Sequence, residues 1–438
     1  MRSAVLLLSL AVLPLLAAAQ PLSQKEQLGK SIFFDSELSL NRNQACSACH
    51  APEVGFTGPI AAINRGGSVY EGSIASRFGN RKPPTSAYAT PSPILHPEFD
   101  KKKLEKAEAT FVGGNFWDGR ATGEKLGNPA ADQAQGPFLN PVEQALPDSA
   151  CVVYRVCNPA FPSDYPVGFE QVWGPEACDV AWPPDVDEVC SDESGRVTLS
   201  ASDRARVDTA YDGIALSIAA YEASAEVNLY SSKFDAFRTG RVKFSRDERR
   251  GLNLFRGKAK CANCHVLSLE PNGEPALFTD FTFDNLGVPR NPDNPWYTMP
   301  AEFNPLGPAW IDEGLGHFLA TRVAYAGYAP ENLGKQKVPT LRNVDARPTP
   351  DFPKAYMHNG YFKTLEGVVD FYNTRDVKPT CPDPLTREAD ALAQGCWPAP
   401  EVPVNVNTTE FGDLKLSASQ ERELVAFLRT LTDGYAGE

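Results

Sequence analysis

A mainly α-helical fold in two modules is what this sequence predicts, and three observations carry that expectation. Two copies of one short motif, Cys46-Ser47-Ala48-Cys49-His50 and Cys261-Ala262-Asn263-Cys264-His265, stand 215 residues apart in a chain of 438. Three segments join a helix-capping signal to apolar residues at helical spacing. No stretch alternates apolar and polar residues for long enough to compete as a half-buried strand.

Taken in chain order, the first 19 residues read as a secretory signal. Arg2 supplies the charged start, Val5 to Leu16 the apolar core, and Ala17-Ala18-Ala19 a small-residue cleavage site before Gln20. That core is too short to span a bilayer, and no later run of about 18 apolar residues follows. The mature chain is therefore expected to be exported to the periplasm without a membrane span. An N-terminal domain is expected over 20–235, with a Pro-, Asp- and Cys-rich insertion at about 147–198. Within it, Ser200-x-x-Asp203 caps a helix whose Val207, Tyr211, Ile214, Ile218 and Tyr221 share one face. A C-terminal domain is expected over 236–438. It begins with the capping box Ser245-x-x-Glu248 ahead of Leu252 and Phe255. It ends on a helix opened by Ser417-x-x-Gln420, with Leu424, Phe427, Leu428 and Leu431 on one side. The 38 Pro and 33 Gly concentrate outside these helices, and further insertions are expected at about 291–330 and 379–406.

The repeated motif carries the chemistry. C-x-x-C-H is the attachment signal for c-type haem: both thiols add across the haem vinyl groups and the adjacent His becomes the proximal iron ligand. Two covalently bound haems are expected, one on Cys46, Cys49 and His50, the other on Cys261, Cys264 and His265. The fold class then reads as mainly α, two cytochrome-c-like haem domains with long loop insertions. Six cysteines remain, and in an oxidising compartment they are expected to pair. Sequence leaves the pairing open, with nearest neighbours (Cys151–Cys157, Cys178–Cys190, Cys381–Cys396) the simplest arrangement. A formal charge of −13 argues against nucleic acid or an acidic membrane surface as partner and suits a basic redox protein.

Further motifs stand in a fixed order. Phe33-Phe34-Asp35 and Leu38-Ser39 precede the first haem motif. Phe116-Trp117-Asp118-Gly119-Arg120, Gly136-Pro137 and Asn140-Pro141-Val142-Glu143 follow it. After the second motif come Lys337-Val338-Pro339-Thr340-Leu341-Arg342-Asn343 and Tyr356-Met357-His358-Asn359-Gly360. Together, from about Leu28 to Leu431, they resemble the bacterial di-haem cytochrome c peroxidase family, which includes the MauG-type maturation enzymes. The resemblance implies that the N-terminal haem reacts with peroxide and the C-terminal haem handles electrons. Glu143 matches the family's distal acid–base carboxylate and Gln133 its distal amide. Splitting the peroxide bond needs a base for the first proton and an acid for the leaving oxygen, and one carboxylate can serve both steps. Trp117 matches the tryptophan between the haems.

Two departures from the pattern bear on mechanism. Relatives that need reductive activation carry a distal His just before the R-N-x-P-T segment, whereas Gly72 to Gly79 holds none. His96 lies downstream and reads as structural or exposed. An open position on the first haem is the expectation. At the second haem, 14 residues after His358, activatable relatives carry an axial Met and this chain has Tyr372. Tyrosine is the MauG-like choice, a hard anionic donor that favours ferric iron, with Met357 and Met299 as the alternative ligands. Calcium is left open. The family uses an Asn in R-N-x-P-T to bind it, and here Lys82 holds that position. His358 is expected near the second haem, and His317 has no assigned role. The expected activity is reduction of H2O2 with a small cytochrome c or cupredoxin as electron donor. The alternative is MauG-type oxidation of Trp or Tyr side chains in a partner protein. A non-catalytic di-haem electron carrier is the third reading.

Overall fold

The computed structural model describes residues 21–99, 109–158, 160, 165–269 and 273–437, so the expected signal segment lies outside it. Helices dominate, and the sheets described are two small antiparallel ladders. One pairs His96–Phe99 with Ala109–Val112, the other Phe283–Asp284 with Gln336–Lys337. Among the described residues no helix is long and apolar enough to cross a membrane.

All three capped helices form where their signals stand. Ser200 accepts from the Asp203 amide and opens Ala201–Ala223. Ser245 with Glu248 and Ser417 with Gln420 form capping boxes on Arg246–Arg256 and Ala418–Arg429. A third box, Ser23 with Glu26, starts Gln24–Phe33. These boxes satisfy amides that would otherwise be unpaired at the helix start.

Buried apolar side chains gather into two large clusters. One runs from Leu28 to Val227 with Leu277 added, the other from Phe234 to Leu431. Each is organised around the same crossing. Gln24–Phe33, which precedes the first Cys-x-x-Cys-His motif, meets Ala201–Ala223 so closely that a Cβ on Gly29 would sit 1.8 Å from the Ser217 carbonyl oxygen. Arg246–Arg256, which precedes the second motif, meets Ala418–Arg429 at Gly251, where a Cβ would sit 1.9 Å from the Glu423 carbonyl oxygen. Only glycine permits backbones to approach this closely.

Two expectations need correction. The 147–198 insertion is no loop: it folds into helices Ser149–Cys157, Tyr165–Trp173 and Val186–Val189, and its Val152, Val153 and Phe169 are fully buried in the first cluster. The disulfides within it are nested, Cys151–Cys190 and Cys157–Cys178, and only Cys381–Cys396 joins nearest neighbours. Cys151 and Cys157 lie on one helix. Six residues of helix rise about 9 Å, beyond the reach of a disulfide.

Candidate active site

In each haem motif the chain turns through a short 3-10 helix, Cys46–Ala48 in the first and Cys261–Asn263 in the second. The turn closes with the His50 amide on the Cys46 carbonyl (3.0 Å) and the His265 amide on the Cys261 carbonyl (2.9 Å). Each His then anchors its ring on the backbone, Nδ1 lying 3.2 Å from the Phe56 oxygen for His50 and 2.8 Å from the Phe278 oxygen for His265. A carbonyl can only accept, so Nδ1 carries the proton and Nε2 keeps its lone pair. Burial lowers both imidazoles, His50 to about 4, which holds them neutral as ligands require.

His50 opens on a cavity of about 490 Å³ whose wall includes Glu143, Gln133 and Trp117. Gln133 comes from the helix Pro129–Leu139, capped by Asn128. Glu143 follows one turn later, its amide bonded to the Asn140 carbonyl at 2.9 Å. Burial pushes the Glu143 carboxyl up from its ordinary range, while the nearby Arg120 pulls it partly back. Arg120 is held by Asp118 at 3.0 Å and by the Phe116 ring at 3.7 Å. Arg120 and both of these partners belong to the motif Phe116-Trp117-Asp118-Gly119-Arg120, in which the sequence assigned Arg120 no role. His317 also stands on this wall, and among the lining residues it is the only imidazole besides His50. His96 is exposed and lines neither cavity.

His265 opens on a second cavity, of about 190 Å³. Tyr372, Met357 and His358 are on its wall, and Met299 is not. Tyr372 lies on Leu365–Thr374, its ring 5.1 Å from that of Phe411. Its hydroxyl bonds to no described residue, and burial pushes it well above the ordinary phenol range. Phe255, Leu341, Val369 and Leu428 supply apolar walls.

The cavities share a wall made of Trp117, Asp312 and Lys337-Val338-Pro339-Thr340. Trp117 is buried and its ring meets that of His358 at 6.4 Å, edge to face. Its carbonyl accepts from the Lys337 amide at 2.8 Å. Beside it Arg81 makes a double ion pair with Asp312 (2.6 Å) and another with Asp118 (2.5 Å). Lys82 is buried, its ammonium donating to Thr57 Oγ1 (2.9 Å) and the Pro83 carbonyl (3.0 Å). Calcium does not fit there. It requires six to eight oxygen ligands, and this position offers an ammonium that already occupies the nearby acceptors.

The residues fit haem at both sites. Cys46, Cys49, Cys261 and Cys264 stay out of the disulfides that hold the other six cysteines. In each motif two free thiols and a neutral imidazole border a cavity with apolar walls. Comparison with known proteins agrees. A family profile described as di-haem cytochrome c peroxidase matches residues 23–243. Methylamine utilization protein MauG of Paracoccus denitrificans is 34% identical over 409 residues, covering 93% of this chain and 88% of that protein. The chain belongs to the di-haem cytochrome c peroxidase family. As a member it carries two c-type haems. A cytochrome-c peroxidase of Denitromonas iodatirespirans is 26% identical, covering 80% of this chain and 73% of its own length. Among solved structures, the diheme peroxidase BthA of Burkholderia thailandensis superposes with a TM-score of 0.67 at 28% identity, covering 97% of this chain and 89% of that one.

Proposed function

We propose that this family member is an exported, periplasmic enzyme that reduces hydrogen peroxide in the His50 cavity and draws the electrons through the His265 side. The haem on His50 supplies the iron at which peroxide is reduced. Glu143, desolvated and therefore a stronger base once ionised, takes the first peroxide proton and returns it to the leaving oxygen. Gln133 orients the substrate with its amide. Trp117 would pass electrons across the shared wall, and Tyr372 would help His265 to hold the second haem, whose cavity both residues line. The segments 20–235 and 236–438 act as separate haem domains, although Leu277 of the second packs into the cluster of the first. The observation that carries the reading is the meeting of His50, Glu143, Gln133 and Trp117 on one cavity, with Trp117 also on the other. A small cytochrome c or cupredoxin serves as electron donor.

MauG-type oxidation of Trp or Tyr side chains in a partner protein is the second reading. It is favoured by Tyr372 on the His265 cavity and by the likeness to MauG. One equivalent of H2O2 added to the fully oxidised protein tests the shared step. Prompt change in the Soret bands is expected. No change until one haem is reduced would mean a sixth ligand blocks the first iron, and His317 is then the imidazole to replace. Tyr372→Phe should shift the spectrum of the second haem, and an unchanged spectrum would reassign the ligand to Met357.

A further inference from the structure

The 291–330 insertion brings aromatic side chains to the His50 cavity. Trp296 and Trp310 both stand on its wall, their rings edge to face at 6.1 Å. Tyr297 packs behind them, 6.0 Å from Trp310, and is buried. Its hydroxyl donates to Glu401 Oε1 at 3.3 Å. Glu401 comes from the 379–406 insertion and lines the other cavity, that of His265. Three rings and one carboxylate thus lead from one cavity to the other by a path that avoids Trp117.

The setting of Tyr297 determines how it can be oxidised. The Arg290 guanidinium lies 3.5 Å from the centre of its ring. A cation there opposes positive charge on the ring, so loss of an electron must be accompanied by loss of the phenolic proton. Glu401 is the acceptor in reach. Burial raises its carboxyl to about 7, so it can take up a proton near neutrality and release it again. Its second oxygen, Oε2, is buried and has no hydrogen-bond partner among the described residues.

We propose that Tyr297 is a proton-coupled redox station between the two cavities. It gives one electron through Trp310 and Trp296 to the oxidised His50 site, and its phenolic proton moves to Glu401 Oε1. Peroxide is the terminal oxidant, taking two electrons and two protons to give two waters, and Tyr297 supplies one of those electrons. The neutral tyrosyl radical is then refilled by one electron from the donor, with the proton returning from Glu401. This rests on the peroxide reading of the His50 cavity.

Freeze-quenched EPR of the holoprotein after one equivalent of H2O2 tests it, with the haem absorption followed in parallel. A radical signal that narrows when the protein is made with ring-deuterated tyrosine is expected, and it should be lost in Tyr297→Phe. Glu401→Gln keeps the phenol but should slow the signal's appearance by about 100-fold, the lower end of what a positioned base contributes. Haem bands that respond to peroxide while the radical persists unchanged in Tyr297→Phe, or appears at the wild-type rate in Glu401→Gln, would overturn this proposal alone. Haem bands that ignore peroxide in the wild-type protein would overturn it together with the peroxide reading.

Discussion

The Trp117 indole donates a 2.8 Å hydrogen bond to the Lys82 carbonyl, and the Lys82 amide donates in turn to the His358 carbonyl at 2.8 Å. One residue therefore ties the indole to a histidine of the second cavity, and the ring cannot turn away from the shared wall without breaking a buried bond. Trp117→Phe removes the donor and leaves the Lys82 carbonyl unpaired, at a cost of about 1–3 kcal/mol. Both haems should still be incorporated. Stopped-flow absorption after peroxide should then show the His50 haem responding first and the other lagging. A simultaneous response of both bands would remove Trp117 from the electron path.

Glu143 sets the pH dependence. Its carboxyl is pushed up by burial, and only the ionised form can accept the peroxide proton. The rate of peroxide consumption should therefore rise with pH, with a midpoint above the ordinary carboxylate range. Glu143→Gln should abolish that rise and slow the reaction by about 100-fold or more, with both haem spectra intact. A wild-type rate in the variant would end the assignment.

With the Lys82 ammonium bonded to Thr57 Oγ1 and the Pro83 carbonyl, no calcium requirement is expected at this position. Dialysis against a chelator should leave the haem spectra, the unfolding temperature and the peroxide reaction unchanged. A loss restored by added Ca²⁺ would place the ion elsewhere on the chain. Lys82→Asn is the complementary variant, because it restores a donor oxygen and should make the protein respond to Ca²⁺.

Much of this architecture could be read along the chain because the signals are local. A cap and its helix lie within a few residues, and so do the two thiols and imidazole of each haem motif. Glu143, Gln133 and Trp117 came from a resemblance, and they meet on one cavity. What escaped depends on residues far apart. The nested disulfides follow from how Ser149–Cys157 packs against the chain that returns to Cys178 and Cys190, which spacing does not encode. The run Cys151-Val152-Val153-Tyr154 is apolar but too short for its periodicity to distinguish helix from strand, and its Pro-rich surroundings read as an insertion. Asp312 reaches Arg81 across 231 residues, so nothing near either one announces the pair. The same holds for Tyr297 and Glu401, from two segments that read as loops.

Asp312 gives the sharpest test that the 291–330 insertion is part of the site. It is buried, and Arg81 holds both its carboxyl and that of Asp118 below the ordinary range. His358 Nε2 lies 3.9 Å away, but burial holds that imidazole to about 4, so Arg81 is the cation that matters near neutrality. Unfolding releases both carboxyls to take up protons at ordinary carboxylate pH. The unfolded chain then binds more protons than the folded one, so this stabilisation is complete above that range and is lost as pH falls toward the depressed folded values. Asp312→Asn leaves Arg81 buried with Asp118 alone, and breaking a buried pair costs about 3 kcal/mol or more. The exposed pair Arg429–Glu366, about half open to solvent on both sides, should cost less than about 1 kcal/mol when Glu366 is replaced by Gln. Urea unfolding of the two variants at neutral pH compares them directly. Equal small losses would mean that the Arg81 network is solvated, and that the insertion only covers the shared wall without holding it in place.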